Sequence, residues 1–346
     1  MMSTFLLAAS LLAAQPALAG SDYLSRPDVR SFIDSMSEEH GIDSSYLERI
    51  LGDIRYTPAA VRLLGPAPSS TPSPSPSRSY PRYRAKFLTP ALIAAGSRFW
   101  SLHAEDLARA EAEFGVPAEV ILGILGVETS YGRNTGSFRA IDALGTIAFD
   151  GVRRQDYFRD ELKELLLLAR DSGIDPLDIK GSYAGAVGLP QFMPSSYRRY
   201  AVDFDGDGAI DLLGSPADAI GSIASYMKAY GWVAGEAPTA PVRLVSGSEA
   251  EIVSGLQRVH DVMDLKDKGV KFVGDEPPVG LVSIFELPTP GKTSKFVAGF
   301  TNFEVVTRYN RSTFYASAVL ELADAIQKAH SRVQLASAQA GEKPAQ

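Results

Sequence analysis

Glu128 is the residue whose type and surroundings point most directly to chemistry. It is the only carboxylate between Glu119 and Asp142, and it directly follows an apolar run at residues 120–127. Residues that are apolar nearly all round predict a helix buried on every side. A carboxyl group at the end of such a helix loses its hydration, so the sequence marks it as a candidate proton donor.

The predicted helix around Glu128 has recognisable ends. Pro117 suits a first helical position and Gly132 suits a stop just past the last turn. Burial raises a carboxyl pKa by up to several pH units, whereas the helix dipole contributes only about 0.3–1 kcal/mol. Burial therefore dominates and favours a protonated acid near neutral pH. The structural alternative is a buried glutamate that is neutralised by Arg133, Arg139 or a later arginine.

An acidic loop at residues 203–211 predicts a cation site. Its carboxylates stand at positions 1, 3, 5 and 9, with Gly208 at position 6, as in the calcium loop of an EF-hand. Position 12 is Gly214 instead of an acid, so we expect a later aspartate to swing back and complete the shell. The alternative is an Asp-Gly turn without a cation. The predicted Ca²⁺ is structural, and its ligands are the side chains of Asp203, Asp205, Asp207 and Asp218 and the carbonyl of Ala209.

A second loop, residues 182–196, combines small residues with polar and aromatic ones. Gly185 and Gly188 let the backbone approach a ligand closely. Gln191 can bridge hydroxyl and amide groups, and Phe192 can offer a flat apolar face. A sugar, with its C–H face and hydroxyl rim, suits this mixture. The alternative is a tight connection between two helices.

Composition excludes several classes of function. The 346 residues contain no cysteine, so disulfides, thiolate nucleophiles and Cys-ligated zinc are ruled out. The four histidines lie far apart without metal-ligand spacing, and no G-x-S-x-G motif is present. A net charge of −7 argues against nucleic-acid binding.

The N-terminus resembles a secretory signal. A short apolar run at residues 5–14 precedes Ala17, Leu18 and Ala19, a small-x-small cleavage pattern before Gly20. No later segment offers the 18 or more apolar residues of a membrane span, and no cysteine is available for a lipid anchor. We therefore expect a soluble periplasmic protein without a transmembrane anchor, its signal peptide removed.

The sequence pattern divides the remaining chain into a mainly helical part and a short β-rich part. The expected divisions are a signal peptide at 1–19, an N-terminal helical segment at 20–64, a Pro/Ser linker at 65–82, a helical core at 83–235, a small β domain at 236–306, a last helical segment at 307–332 and a disordered tail at 333–346. The clearest helical patterns cover 29–36, 45–54, 156–170, 216–230 and 312–329, and the clearest strands 242–245, 279–287 and 295–300.

Taken together, these segments resemble the B-type lytic murein transglycosylases, bacterial enzymes that cleave the glycan strands of peptidoglycan. The resemblance runs from about Tyr83 to Tyr315. Its motifs here are residues 83–87, 126–132, 153–154, 181–186, 191–197, the acidic loop, 218–222 and 307–310. It implies a mainly α (α+β) fold: a lysozyme-like helical catalytic core with the calcium loop, a helical domain from N- and C-terminal segments, and a small β domain.

The resemblance also implies roles for individual residues. Glu128 falls on the catalytic acid, and Arg153 and Arg154 lie near the peptide-bearing sugar. Several of these residues have a plain alternative: Tyr226 and Tyr309 as half-buried aromatics, Arg153 as a solvated cation. The implied groove residues are Tyr83, Ser182, Gln191, Phe192, Tyr226, Tyr309 and Asn310.

The implied reaction needs only one carboxyl group. Glycosidases ordinarily pair two carboxyls, but no second one is obvious near Glu128 in the sequence. The resemblance implies that the substrate supplies its own nucleophile and leaves a 1,6-anhydromuramic end. Alternatives are a muramidase that uses water and a non-catalytic peptidoglycan-binding scaffold; a calcium sensor is disfavoured by the single loop. The expected partners are glycan strands, with no organic cofactor, and the chain is expected to be a monomer.

Overall fold

The protein is described by a computed structural model over residues 22–63 and 79–341. The expected signal peptide and residues 65–78 of the expected linker lie outside these ranges. Within them the structure is mainly helical with one five-stranded sheet, as the sequence predicts. No helix in this part of the chain is long and apolar enough to cross a membrane.

The N-terminal segment is a small helical layer on the core. After a 3-10 turn at Tyr23–Ser25 its helices are α1 (Pro27–His40), α2 (Ser44–Gly52) and α3 (Pro58–Leu63). The Tyr23 hydroxyl donates to Asp150 at 2.6 Å, and the Arg55 backbone N–H donates to Asp142 at 2.9 Å. Both acceptors lie on one core helix, which therefore holds this segment in place.

The core is built from eight helices and a two-stranded ladder. The helices are α4 (Tyr80–Arg84), α5 (Pro90–Leu102), α6 (Ala104–Phe114), α7 (Ala118–Thr129), α8 (Ala140–Asp150), α9 (Gln155–Ser172), α10 (Pro194–Tyr200) and α11 (Pro216–Ala229). The ladder pairs β1 (Phe138–Arg139) with β2 (Lys180–Gly181) in antiparallel fashion. The α7 helix is buried on nearly all sides, as its apolar sequence predicts.

The β domain has a core of its own. Its elements are β3 (Thr239–Arg243), α12 (Glu249–Ile252), β4 (His260–Asp261), α13 (Val262–Asp267), β5 (Lys271–Phe272), β6 (Leu281–Leu287) and β7 (Lys295–Gly299). The strand order is β4-β6-β7-β3-β5, and every pair is antiparallel. One face buries Val242, Ile284 and Ala298 in a separate apolar cluster.

Two C-terminal helices return the chain to the core. They are α14 (Thr301–Tyr309) and α15 (Thr313–Gly341), and α15 packs on α7, α5 and α4. The approach of α15 to α7 is close at Gly123, where a Cβ would meet the Val319 carbonyl oxygen at 2.6 Å. Glycine is therefore required at this helix crossing.

Two expected boundaries differ from the structure. The tail expected from residue 333 continues α15 as far as Gly341, because its alanine-rich sequence has high helix propensity. The expected linker ends too late, since α4 already begins at Tyr80, where Ser79 caps it and Pro81 occupies its first turn. The short elements α12, α13, β4 and β5 were not predicted, because pieces of two to six residues carry no readable periodicity.

Candidate active site

The end of α7 positions Glu128. The helix stops after Thr129, and Ser130, Tyr131 and Gly132 follow with φ values of 51°, 61° and 80°. A left-handed conformation in two successive non-glycine residues is strained. The Thr129 hydroxyl helps to hold this turn, because it donates to the Leu189 carbonyl at 2.9 Å and accepts from the Gly132 N–H at 3.0 Å.

The carboxyl group of Glu128 combines burial with one strong hydrogen bond. Its side chain is only partly accessible, and its Oε1 accepts from the Tyr315 hydroxyl at 2.5 Å. Burial raises the pKa of Glu128 from its ordinary value of 4.5 to about 7, although the Tyr315 hydrogen bond acts in the opposite direction. Near neutral pH the group is therefore divided between acid and base forms, as a group that both donates and accepts a proton requires.

The arginines that could neutralise Glu128 as a structural residue bind other partners. Arg139 contacts Asp53 at 2.5 Å and Asp142 at 2.6 Å, and Arg133 donates to the Ser130 carbonyl at 3.2 Å. Across residues 22–63 and 79–341 no lysine or arginine forms an ion pair with Glu128. A neutralised structural glutamate is therefore not what the structure contains.

Three tyrosines surround the acid. The negative charge of Glu128 adds to burial in raising the pKa of Tyr83, Tyr309 and Tyr315. Tyr83 and Tyr309 were predicted as groove residues. Tyr315, which makes the direct contact, was not. The available signal was its place on the last amphipathic helix, at the end of the segment that carries the family resemblance.

The loop of residues 182–192 wraps against this turn. The Ser182 hydroxyl oxygen accepts from the N–H groups of Ala184 and Ala186 at 3.3 and 3.2 Å, and so closes the loop on itself. The Gln191 amide donates to the carbonyls of Thr135 and Gly188, both at 2.9 Å. Both predicted groove residues therefore also shape the loop.

Phe192 differs from the sequence expectation. Only 2% of its surface is exposed, because its ring packs against Tyr226 and Tyr309 with centroids 5.4 and 5.8 Å away. In this structure it supports the two tyrosines and does not present a broad face. Tyr309 in turn donates to the Pro190 carbonyl at 2.6 Å and connects the loop to the acid.

The remaining predicted groove residues lie at the surface. Asn310 is exposed at the end of α14. Arg153 and Arg154 are exposed before α9, where the Arg154 guanidinium lies 4.2 Å from the centre of the Tyr157 ring. In the part of the chain that the structure describes, neither arginine contacts Glu128.

The acidic loop forms a compact cluster. Side-chain oxygens of Asp203, Asp205 and Asp218 lie within 4.8 Å of one another. Asp218 is 1% exposed, and Ser215 caps the helix that carries it. The expected return of Asp218 to the loop is therefore what the structure shows. Gly208, with φ of 94°, makes the turn that an EF-hand-like loop requires at this position.

Asp207 does not join this cluster. Its carboxylate accepts from the Ala209 N–H at 2.8 Å, as in an Asx turn. The three clustered carboxylates form a hard oxygen donor set, which suits Ca²⁺. Their mutual repulsion would be relieved by a divalent cation, so these residues fit the ion, with Asp207 outside the inner group.

Two influences set the acidity of Glu128. Burial, the larger one, raises its pKa, and the Tyr315 hydrogen bond lowers it.

Comparisons with known proteins agree with this arrangement. The family described as Transglycosylase SLT domain matches residues 25–324. Membrane-bound lytic murein transglycosylase B of Escherichia coli is 41% identical over 313 residues, which cover 89% of this chain and 84% of that protein.

Two solved structures are also similar. The Escherichia coli lytic transglycosylase Slt35 in complex with calcium has a TM-score of 0.82 at 38% identity, covering 92% of this chain and 100% of that one. SltB3 from Pseudomonas aeruginosa in complex with NAG-anhNAM-pentapeptide has a TM-score of 0.75 at 30% identity, covering 89% and 80%.

Proposed function

The chain belongs to the lytic transglycosylases of the SLT domain family, and from this premise we propose that Glu128 alone acts first as acid and then as base. The proposed reaction cleaves the β-1,4 bond between N-acetylmuramic acid and N-acetylglucosamine in peptidoglycan. The observation that supports it is the position of Glu128: it is buried, has no ion pair among the described residues, and its pKa is raised to about 7.

In the first step protonated Glu128 donates its proton to the glycosidic oxygen, and the bond from that oxygen to C1 of the muramic residue breaks. The N-acetyl carbonyl of the same sugar stabilises the cationic C1. The Tyr315 hydroxyl, already 2.5 Å from Oε1, stabilises the carboxylate that remains. The N-acetylglucosamine end leaves as an alcohol.

In the second step the Glu128 carboxylate takes the proton of the C6 hydroxyl as that oxygen bonds to C1. A 1,6-anhydro ring closes, no water enters the product, and the acid form of Glu128 is restored. A nucleophile held in the same sugar has the entropic advantage of positioned reactants. General acid–base assistance contributes about 10²–10⁴-fold.

Two solved relatives support these finer statements. SltB3 is described with NAG-anhNAM-pentapeptide, which is consistent with an anhydro product. Slt35 is described with calcium, so we propose that Asp203, Asp205 and Asp218 hold a structural Ca²⁺ here. The predicted ligand Asp207 lies outside the clustered carboxylates, and the Ala209 carbonyl stays a predicted ligand. The groove roles of the remaining predicted residues stay part of this proposal.

We also propose that the protein acts in the periplasm on peptidoglycan strands. The support is the signal-like sequence of residues 1–19, which lies outside the described residues. The mature N-terminus of protein recovered from cells tests this, since cleavage after Ala19 leaves Gly20 first.

The test of the reaction is product analysis. Purified protein is incubated with sacculi in ¹⁸O-labelled water, and released muropeptides are analysed by mass spectrometry. Anhydro ends without label are expected, and Glu128→Gln should remove nearly all release while still binding sacculi. One ¹⁸O per cut would establish a water-using muramidase instead, and binding without release by the unaltered protein would establish a scaffold.

A further inference from the structure

Hydrogen bonds connect the acidic loop with the turn at the end of α7. The buried carboxylate of Asp218 accepts from the Asp211 N–H at 2.7 Å. The next residue, Leu212, accepts with its carbonyl from the Leu189 N–H at 2.8 Å. The Leu189 carbonyl accepts from the Thr129 hydroxyl at 2.9 Å, and Thr129 directly follows the proposed catalytic acid. These three hydrogen bonds, the buried link, join a predicted cation ligand to the neighbour of that acid.

The residues of the buried link are shielded from water. Leu212 is 0% exposed, Asp218 and Thr129 are each 1% exposed, and Leu189 is 6% exposed. A buried donor or acceptor that loses its partner costs the full desolvation penalty, because no water replaces that partner. A shift of Leu212 therefore has to be followed by Leu189 and by the Thr129 hydroxyl.

Leu212 is held from both sides. Its N–H donates to the Tyr197 hydroxyl at 3.1 Å, and that hydroxyl donates to the Ile210 carbonyl at 2.8 Å. On the other side Gly188 has a φ of 74°, and a Cβ there would meet the Leu212 carbonyl oxygen at 2.3 Å. The backbones of the acidic loop and of the loop at 182–192 are therefore in direct contact, with no side chain between them to absorb a displacement.

The Thr129 hydroxyl is the end of the buried link at the active site. It also accepts from the Gly132 N–H at 3.0 Å, and so it spans the left-handed residues Ser130 and Tyr131. Backbone strain of this kind persists only where the surrounding contacts fix it. The position of Glu128 at the end of α7 therefore depends on a hydroxyl that is tied to the acidic loop.

We propose that Thr129 is a positioning residue, which through Leu189 and Leu212 makes the position of Glu128 depend on a cation in the acidic loop. This inference rests on the proposed function, which supplies the role of Glu128 and the Ca²⁺ ligands. Without a cation the clustered carboxylates repel one another, so the loop loses its fixed shape and the buried link no longer holds the turn. A bound Ca²⁺ fixes the loop and, through it, the acid.

Positional and electrostatic effects of Ca²⁺ on Glu128 have opposite signs. A loosened turn lets water reach the carboxyl group, so on removal of Ca²⁺ the pKa of Glu128 should fall from about 7 toward its ordinary value of 4.5. Loss of a nearby positive charge alone would raise this pKa, because a cation favours the carboxylate. The direction of the pKa change therefore separates the two effects.

The test uses two variants of Thr129 and a matched control. Thr129→Val removes the hydroxyl and keeps the shape of the side chain, whereas Thr129→Ser keeps the hydroxyl. Thr146→Val is the control, because Thr146 is also fully buried and its hydroxyl accepts from the Thr57 N–H at 2.9 Å. It loses a comparable buried hydrogen bond that is not part of the buried link.

The pKa of Glu128 is measured by ¹³C NMR titration of glutamate-labelled protein, once with saturating Ca²⁺ and once with a chelator. Glu128→Gln identifies the resonance. The tyrosines that face this carboxyl do not titrate in the same range, because burial and the nearby carboxylate raise the pKa values of Tyr83, Tyr309 and Tyr315 above their ordinary value of 10. Calorimetry with Ca²⁺ checks that each variant is loaded.

Removal of Ca²⁺ should lower the pKa of Glu128 by about one pH unit, a tenfold change in proton affinity, in the parent and in Thr146→Val. In Thr129→Val the pKa should be low with and without Ca²⁺, and Thr129→Ser should keep the response of the parent. With saturating Ca²⁺, Thr129→Val should lower kcat about ten- to a hundredfold with little change in KM, and Thr146→Val should leave both unchanged.

A pKa of Glu128 that stays constant or rises on removal of Ca²⁺ would overturn the inference, and so would an equal response in Thr129→Val and the parent. Parent protein that binds no Ca²⁺ would overturn it as well. The parent alone gives the first of these results, so the test does not depend on the folding of Thr129→Val. The products that the parent releases from sacculi report the proposed reaction separately.

Discussion

Replacing Glu128 by Gln should make the folded protein more stable above neutral pH, and the gain should vanish in acid. The reason is that a carboxylate is disfavoured in the buried position at the end of α7, whereas a neutral amide of the same shape is not. The Tyr315 hydroxyl can still donate to the amide oxygen, so the substitution changes mainly the charge. Loss of activity and gain of stability are therefore expected in the same variant.

The magnitude follows from the pKa of Glu128. It lies at about 7 in the folded protein against an ordinary value of 4.5. At 1.36 kcal/mol per pH unit the gap corresponds to about 3 kcal/mol. Between these values the unfolded chain binds fewer protons than the folded one, so the free energy of unfolding falls as pH rises. The contribution of protonated Glu128 is fully present below pH 4.5 and is lost by the time pH passes 7.

The assay is urea-induced unfolding of both proteins at pH 4, 6 and 8, at one fixed calcium concentration. The difference in unfolding free energy should be near zero at pH 4 and reach about 3 kcal/mol in favour of the variant at pH 8. Glu113→Gln, at an exposed residue of α6, serves as a control that should show no such trend. A difference between Glu128→Gln and the parent that does not change with pH would refute a raised pKa and, with it, the proton-donor assignment.

Three further predictions concern Tyr315, the acidic loop and Tyr131. Tyr315→Phe removes a hydrogen bond that lowers the pKa of Glu128. The alkaline limb of the kcat/KM profile should therefore move up by about one to two pH units, the equivalent of about 1.5–3 kcal/mol. An unchanged alkaline limb would contradict the Tyr315 contact. Calcium at ten times its Kd should stabilise the protein by about 1.4 kcal/mol in thermal unfolding. Asp218→Asn should abolish this stabilisation by calcium, and Asp207→Asn should largely preserve it. An equal loss of the calcium response in both variants would contradict the proposed ligand cluster. Tyr131→Phe should leave the free energy of unfolding unchanged or raise it by about 1 kcal/mol, because the buried Tyr131 hydroxyl has no hydrogen-bond partner among the described residues. A clear fall in the free energy of unfolding would show that this hydroxyl does form a hydrogen bond.

The sequence predicted best what local pattern determines. The buried α7 helix followed from an unbroken apolar run, and β6 and β7 followed from short β-rich runs between Gly and Pro residues. The return of Asp218 to the acidic loop was predictable because only a few residues separate it from the loop. Helix ends were less predictable: Gly132 marks the expected stop, but the left-handed turn already begins at Ser130.

Features set by long-range contacts could not be predicted in this way. Tyr315 lies 187 positions from Glu128, and nothing local marks it as a proton-donor partner. Phe192 appeared suited to stack on a sugar, but tertiary packing places its ring against two tyrosines. Asp207 has the right type and spacing for a ligand, yet its side-chain oxygens lie outside the cluster of Asp203, Asp205 and Asp218. In each case the residue type was informative, but the position of the side chain depends on the folded structure around it.

The C-terminal helix α15 contacts both the helical core and the β domain. Near its start, Tyr315 lowers the pKa of Glu128 through a hydrogen bond. The packing of α15 on α7 helps to bury Glu128, and this burial raises the same pKa. About one and a half turns further along, Leu320 and Glu321 line a groove between α15 and the β domain. A displacement of α15 would therefore alter the acid strength of Glu128 and the shape of the groove together. The close crossing at Gly123 opposes such a displacement, because the backbones of α7 and α15 meet there without an intervening side chain.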